Sequence, residues 1–314
     1  MEYLTVDSDL YNSYYLNAMT IDTLRVLKGE NSNEIIGSTY TAEHPTINNL
    51  VIGEGITKVR GFYNRGINTL ELPSTLVEIG ANAFGENNLT TLKLPSSVKI
   101  IGNSAFYNNN ISDDGNAYNG DHFLFENVEI IGDAAFNGNS FETVLFMPGL
   151  KEIGINAFGG NTTMTRVEFN YGADFSSDTD DVVLVSIGAK AFRGNGITSA
   201  SLKGLKDIGA YAFEGNNLMG VNSWRTGDTI ETIGEQAFAN NPLFSDAPGG
   251  YVMGIGCNIK HIDSSAFINT GSQLNLVVPR DSTVTFNGGL AVSEGEAEII
   301  NGVRFYYNPS RVCN

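Results

Sequence analysis

A six-residue motif, Ile-Gly-x-x-Ala-Phe, recurs eight times between residues 79 and 267. The copies begin at Ile79, Ile101, Ile131, Ile153, Ile187, Ile208, Ile233 and Ile262 and end at Phe84, Phe106, Phe136, Phe158, Phe192, Phe213, Phe238 and Phe267. Ile, Ala and Phe hold in every copy, and Gly gives way only to Asp263. An aliphatic stands three residues ahead of each Ile (Leu76, Val98, Val128, Leu150, Leu184, Leu205, Ile230, Ile259). Three residues past each Phe comes Asn: Asn87, Asn109, Asn139, Asn161, Asn195, Asn216 and Asn241, with Thr270 in the last copy. Self-similarity at a fixed period means a stack of like units, each too small to bury its own apolar face.

Between the motifs lies an L-x-x-L-x-L stretch: Ile67-Leu70-Leu72, Leu89-Leu92-Leu94, Phe141-Val144-Phe146, Met164-Val167-Phe169 and Ile197-Ala200-Leu202. Its last residues alternate in and out, as a strand requires, and Thr and Val suit a pleated surface. Weaker copies run back through Ile47-Leu50-Ile52 and to Ile21-Leu24-Val26, for about eleven turns. Each turn then holds two short strands with their apolar side chains inside. Gly fits a tight bend or close backbone approach, and Ala-Phe fits a short helical or 3₁₀ turn in which Ala makes room for the ring. A buried Phe contributes roughly 1.5–3 kcal/mol, so a stacked Phe column is expected to be a main source of stability. The Asn column reads as side-chain amides bonded to loop backbone from turn to turn. The chain divides into an N-terminal cap over 1–46 that can include a degenerate first turn, a solenoid over 47–279, and a β-rich C-terminal cap over 280–314. Caps are needed because a stack has open ends.

Successive Phe residues are spaced by 22, 30, 22, 34, 21, 25 and 29 residues. The long intervals mark insertions at 112–121, at 170–181, around Trp224-Arg225 and at 244–254. All are read as falling between the L-x-L strand and the aliphatic strand that follows, and so as leaving one edge of the solenoid. Insertions on one side of a repeat protein often line a binding face. This edge would carry Tyr118, Tyr171, Phe175, Trp224, Phe244 and Tyr251, aromatics of the kind enriched at interfaces. They also fit a second reading, as caps folded over the core. The outward positions of the L-x-L sheet, among them Thr69, Glu71, Thr91, Lys93, Thr143, Leu145, Arg166, Glu168, Ser199, Ser201 and Asn222, are small, polar or mixed in charge.

The formal net charge is -17, from 35 acidic and 18 basic residues. That argues against nucleic acid and anionic lipid as partners, since phosphate binding wants a basic face. Acidity also serves solubility. No stretch of 18 apolar residues exists, so no membrane span is expected. The start, Met1-Glu2-Tyr3-Leu4-Thr5, has neither a basic n-region nor an apolar h-region, as expected of an intracellular chain or a mature segment. His44, His122 and His261 fall in different turns, without metal-ligand spacing. No G-x-S-x-G elbow and no phosphate- or dinucleotide-binding glycine loop is present. No catalytic residue, metal or cofactor is therefore expected. Asp174, Asp178, Asp180 and Asp181 lack the ligand order of a calcium loop. Cys257 and Cys313 either pair or stay as free thiols. N-x-[ST] sequons at Asn88, Asn110 and Asn161 are expected by chance in a repeat rich in Asn and Thr.

The composite pattern L-x-x-L-x-L-P-x-x-V-x-x-I-G-x-x-A-F-x-x-N resembles the BspA-like leucine-rich repeat family across roughly residues 47–279. The resemblance implies a right-handed, mainly β solenoid with a parallel sheet on one face. It also implies a bacterial cell-surface or secreted module, expected to be monomeric, that binds a protein or another macromolecule in adhesion or host recognition. A structural spacer displaying another domain is the alternative, followed by an enzyme built on the insertions. The family often has Cys where this chain has its Asn column, so stacked cysteines play no part here.

Overall fold

The structure, a computed structural model, describes residues 3–9, 20–36, 45–112, 122–172, 185–202, 204–218, 229–242, 251–254, 258–270, 274–279, 298–300 and 303–308. The L-x-L strands build three four-stranded groups. The first holds β1 (Tyr3–Asp7), β2 (Thr20–Leu27), β4 (Thr46–Ile52) and β6 (Thr69–Glu71). The second holds β9 (His122–Phe125), β11 (Thr143–Phe146), β13 (Arg166–Glu168) and β15 (Ser199–Ser201). The third holds β18 (Tyr251–Gly254), β20 (Leu274–Pro279), β21 (Glu298–Ile300) and β22 (Val303–Asn308). The aliphatic-to-Ile strands form one ten-stranded sheet: β3 (Glu34–Ile36), β5 (Lys58–Arg60), β7 (Glu78–Ile79), β8 (Ile100–Ile101), β10 (Ile130–Ile131), β12 (Glu152–Ile153), β14 (Val185–Ile187), β16 (Leu205–Ile208), β17 (Thr232–Ile233) and β19 (His261–Ile262). Among the described residues, all pairings are parallel except β21 with β22. Ile79, Ile101, Ile131, Ile153, Ile187, Ile208, Ile233 and Ile262 meet one above another in register and are buried.

The solenoid thus has about eight complete turns, fewer than the eleven anticipated. At the N-terminal end β1, β2 and β4 stack in parallel, and the sequence holds no copy of the Ile-Gly-x-x-Ala-Phe motif before Ile79. Parallel pairing of β1 with β2 and of β2 with β4 carries the ladder through residues expected to form a cap. At the far end β22 continues it from β20, and antiparallel β21 lies beside β22.

The corner is not helical. Ala105 N–H bonds back to Gly102 O at 3.2 Å, and the third residue of that turn, Ser104, has φ 53°. This is the pattern of a type II turn, which needs a left-handed residue at its third position. A second left-handed residue, Asn108 (φ 51°), follows two residues after the Phe. Between them, Ser104, Phe106 and Asn108 donate to Asp133, Ala135 and Asn137 of the next turn, each at 2.8 Å. Left-handed kinks turn these N–H groups toward the following turn, whereas helical dihedrals would have closed them within their own. The motif Gly is needed for close approach: a Cβ on Gly154 would stand 2.5 Å from Asp133 N, and on Gly132 2.6 Å from Asn103 N. Where Asp263 replaces Gly, the regular pattern loosens, and Gln236 N–H reaches Ser265 Oγ at 3.3 Å.

Candidate interaction surfaces

Two columns consume the interior of the corner. Rings from Phe62 to Phe267 stack at centroid distances of 5.2–5.8 Å, the offset geometry that aromatic quadrupoles favour. Beside them run the asparagines. Asn139 Nδ2 donates to Phe106 O at 2.9 Å and Phe136 O at 3.1 Å, so one amide ties two turns together, and its Oδ1 accepts from Ile111 N–H at 3.1 Å. Asn87, Asn109, Asn216 and Asn241 repeat the arrangement. Asn161 departs from it: its amide donates to Phe136 O and Phe158 O, but its buried Oδ1 has no donor. One residue more separates Asn161 from Val167 than separates Asn139 from Val144, and in the next turn Asn195 Oδ1 accepts from Asn161 N–H at 2.7 Å, two residues earlier than the regular donor. These amides hold the stack together and are not placed for chemistry.

What a partner can reach is the outer faces and the insertions. On the ten-stranded sheet Lys99, Glu129 and Lys151 occupy successive turns, with Glu129 3.7 Å from Lys99 and 2.6 Å from Lys151. The Lys151 hydrogen bond and charge hold the Glu129 carboxyl below its ordinary range. Lys58–Glu78 and Lys260–Glu231 pair likewise. Exposed pairs of this kind contribute little to stability but leave that face charged and nearly self-neutralised. Val77, Ile130 and Ile155 are exposed among them. On the L-x-L side, Thr69, Glu71, Thr91, Lys93 and Arg166 are exposed, and Ser199 and Ser201 half-buried. Thr143 and Leu145 correct the expectation of an open polar face: both point away from the core yet are buried. Alternation gives a side chain's direction; it does not show what packs over it. Asn222 lies outside the described residues.

The insertions do not share one edge. Residues 113–121 lead into the start of β9 and 243–250 into the start of β18, whereas 173–184 follow β13. The strand ends to which they attach are therefore at opposite margins of the sheet. The misreading arose because Ile111 and Leu243 keep the first apolar position of the L-x-x-L-x-L stretch, and the insertion sits between that position and the strand. Of the aromatics assigned to the edge, Tyr171 stands exposed just after β13, its N–H donating to Phe146 O at 2.8 Å. Tyr251 opens β18. Tyr118, Phe175, Trp224 and Phe244 lie outside the described residues, as do Asp174, Asp178, Asp180, Asp181, Cys257 and Cys313. Among the described residues no group of three or more His, Cys, Asp or Glu is placed to hold a metal ion. No helix among them is long and apolar enough to cross a membrane.

A feature of the corner that the sequence did not announce is a surface network across three turns. Lys190 Nζ lies 5.9 Å from the centre of the Tyr211 ring, and Tyr211 O–H donates to Glu235 at 2.7 Å. Arg193 pairs with Glu214, which also accepts from Asn240. The Glu235 hydrogen bond and negative charge raise the Tyr211 phenol above its ordinary value.

The model of the BspA-type leucine-rich repeat region matches in six copies over residues 57–170, 117–241 and 178–288. No curated protein matches the chain. Among solved structures, a leucine-rich cell surface protein of Faecalibacterium prausnitzii A2-165 is 17% identical, covering 99% of this chain and 84% of that one, with a TM-score of 0.39. Pneumococcal vaccine antigen PcpA is 18% identical, covering 95% and 85%, with a TM-score of 0.38. A leucine-rich repeat protein of Bacteroides ovatus is 13% identical, covering 85% and 87%, with a TM-score of 0.34. These TM-scores are low, and the assignment rests on the repeat match. With its eight copies of the corner motif and its parallel stacked turns, this chain belongs to the BspA-type leucine-rich repeat family.

Proposed function

We propose that this chain is a non-enzymatic recognition module that works at a cell surface, by adhesion or by binding a host protein or another macromolecule. Membership in a repeat family of surface proteins supports the location. The contact surface is assigned to the margin that follows β13, at Tyr171 and the insertion over 173–184 that carries Phe175. The observation that carries this assignment is Tyr171. It is 42% exposed at the exit of β13, two residues after the fully packed Phe169, in a stack whose corner phenylalanines are all buried. An aromatic kept in solvent beside an insertion suits partner contact, since Tyr offers large amphipathic area at low entropic cost. Insertions are also inexpensive to retain, because loop-closure entropy grows slowly with length.

The test is capture of extracellular-matrix proteins on the immobilised chain. It compares the parent, Tyr171→Ala, a variant with 173–184 trimmed to repeat length, and the sheet-face variant Thr91→Ala. Weaker capture by the first two variants, with Thr91→Ala at parental level, supports the reading. Equal capture by parent and trimmed protein, with loss in Thr91→Ala, moves the site to the sheet. No capture by any of them favours a spacer.

A further inference from the structure

The three N-x-[ST] sequons occupy very different ground. Asn161 is fully buried and its Nδ2 is committed to Phe136 O and Phe158 O. A chain modified there could not close the ladder. Asn110 is exposed, and its Oδ1 accepts from Ser140 Oγ at 2.8 Å, which pins the amide without using the Nδ2 that a glycan would take, while the hydroxyl of its sequon, on Ser112, donates to Thr90 O at 3.4 Å. Asn88 is exposed, as is Thr90 two residues on, and the one bond of its Nδ2 is a long 3.3 Å contact to Gly66 O. Gly66 in the neighbouring turn leaves that nitrogen room: a Cβ there would come no closer than 3.9 Å to it. Only this sequon also has an acid two residues ahead, in Glu86-Asn87-Asn88-Leu89-Thr90. Such a carboxylate is a handle that a guanidinium in a peptide-binding groove can grip. The backbone under it is anchored, with Glu86 N–H on Tyr107 O at 2.7 Å and Asn88 N–H on Ile67 O at 2.9 Å. A substituent on Asn88 would therefore leave the stack undisturbed.

We propose that Asn88 is an N-linked glycan acceptor. The donor is an oligosaccharide carried on a lipid diphosphate, delivered by a transferase that reads the acidic sequon. Asn88 Nδ2 attacks the anomeric carbon, a C–N bond forms as the C–O bond to the diphosphate breaks, the nitrogen gives up a proton, and the lipid diphosphate leaves. The proposal shares with the proposed function only the export of the chain, so mass measurement and capture assay fail separately. The test is intact-mass measurement and peptide mapping of the protein recovered from its own cells. Alongside it, the parent, N88Q, N110Q and E86Q are co-expressed with an acidic-sequon transferase and its lipid-linked donor. A glycan mass on the parent and on N110Q, lost in N88Q and several-fold lower in E86Q, is expected, with the thermal midpoints of all four alike. An unmodified Asn88 in protein recovered outside its own cells would overturn the proposal, as would occupancy at Asn110 or Asn161 instead. Unmodified protein found only inside the cell would overturn both this proposal and the surface reading.

Discussion

Asn139→Ala tests whether the amide column is a structural spine. Asn139 is 5% exposed and makes three buried hydrogen bonds. Their loss is unequal. Phe106 O keeps a second amide, that of Asn109, and Phe136 O keeps that of Asn161. Ile111 N–H is left with nothing. One orphaned buried donor costs about 1–3 kcal/mol and each lost second bond about 0.5–1.5, which sums to roughly 2–6 kcal/mol. Asn161→Ala is the internal control. Its Oδ1 has no donor to orphan, and Phe158 O keeps the amide of Asn195, so the same count gives only about 1–3 kcal/mol. Urea unfolding measures both, and the slope should stay near parental if only stability changes. The expected order of midpoints is parent, then Asn161→Ala, then Asn139→Ala. Parental midpoints in both variants, or the reverse order, would refute the spine.

Phe136→Ala, in mid-column between Phe106 and Phe158 at 5.2 and 5.3 Å, should cost about 3–5 kcal/mol in the same urea assay. Gly154→Ala forces a Cβ to 2.5 Å from backbone and should destabilise by about 1–3 kcal/mol or more, seen as a lower thermal midpoint. Ala134→Gly should raise stability by about 0.5–1 kcal/mol, because a left-handed alanine (φ 51°) carries about 1–2 kcal/mol of strain, and glycine's extra chain entropy returns only part of the relief. Glu129 has a lowered pKa from Lys151 and Lys99. Its contribution is therefore present above the unfolded-state carboxylate value and lost as pH falls through the lowered one. The thermal midpoint of Glu129→Gln should lie below that of the parent near neutrality and converge with it in acid, and high salt should narrow the gap.

The sequence by itself determined the period, the inward residues and the two columns. Each of these is a local choice repeated eight times, and repetition turns a weak preference at one Ile or Phe into a pattern no other fold satisfies. The family was legible for the same reason. The tertiary structure decided what depends on the neighbouring turn. Whether Ser104 bonds within its own turn or to Asp133 of the next is a contest between local and stacked hydrogen bonds, and stacking won through left-handed kinks at residues such as Ala134 and Tyr211 that carry no glycine signal. The side on which an insertion attaches was likewise hidden. Ile111 keeps its apolar position whether the added residues come before or after the strand, and only the pairing of β9 with β11 fixes the strand at His122–Phe125. Burial of Thr143 and Leu145 on the outer face, and the exposure that separates Asn88 from Asn161, follow from what lies across the surface in space, which no spacing along the chain records.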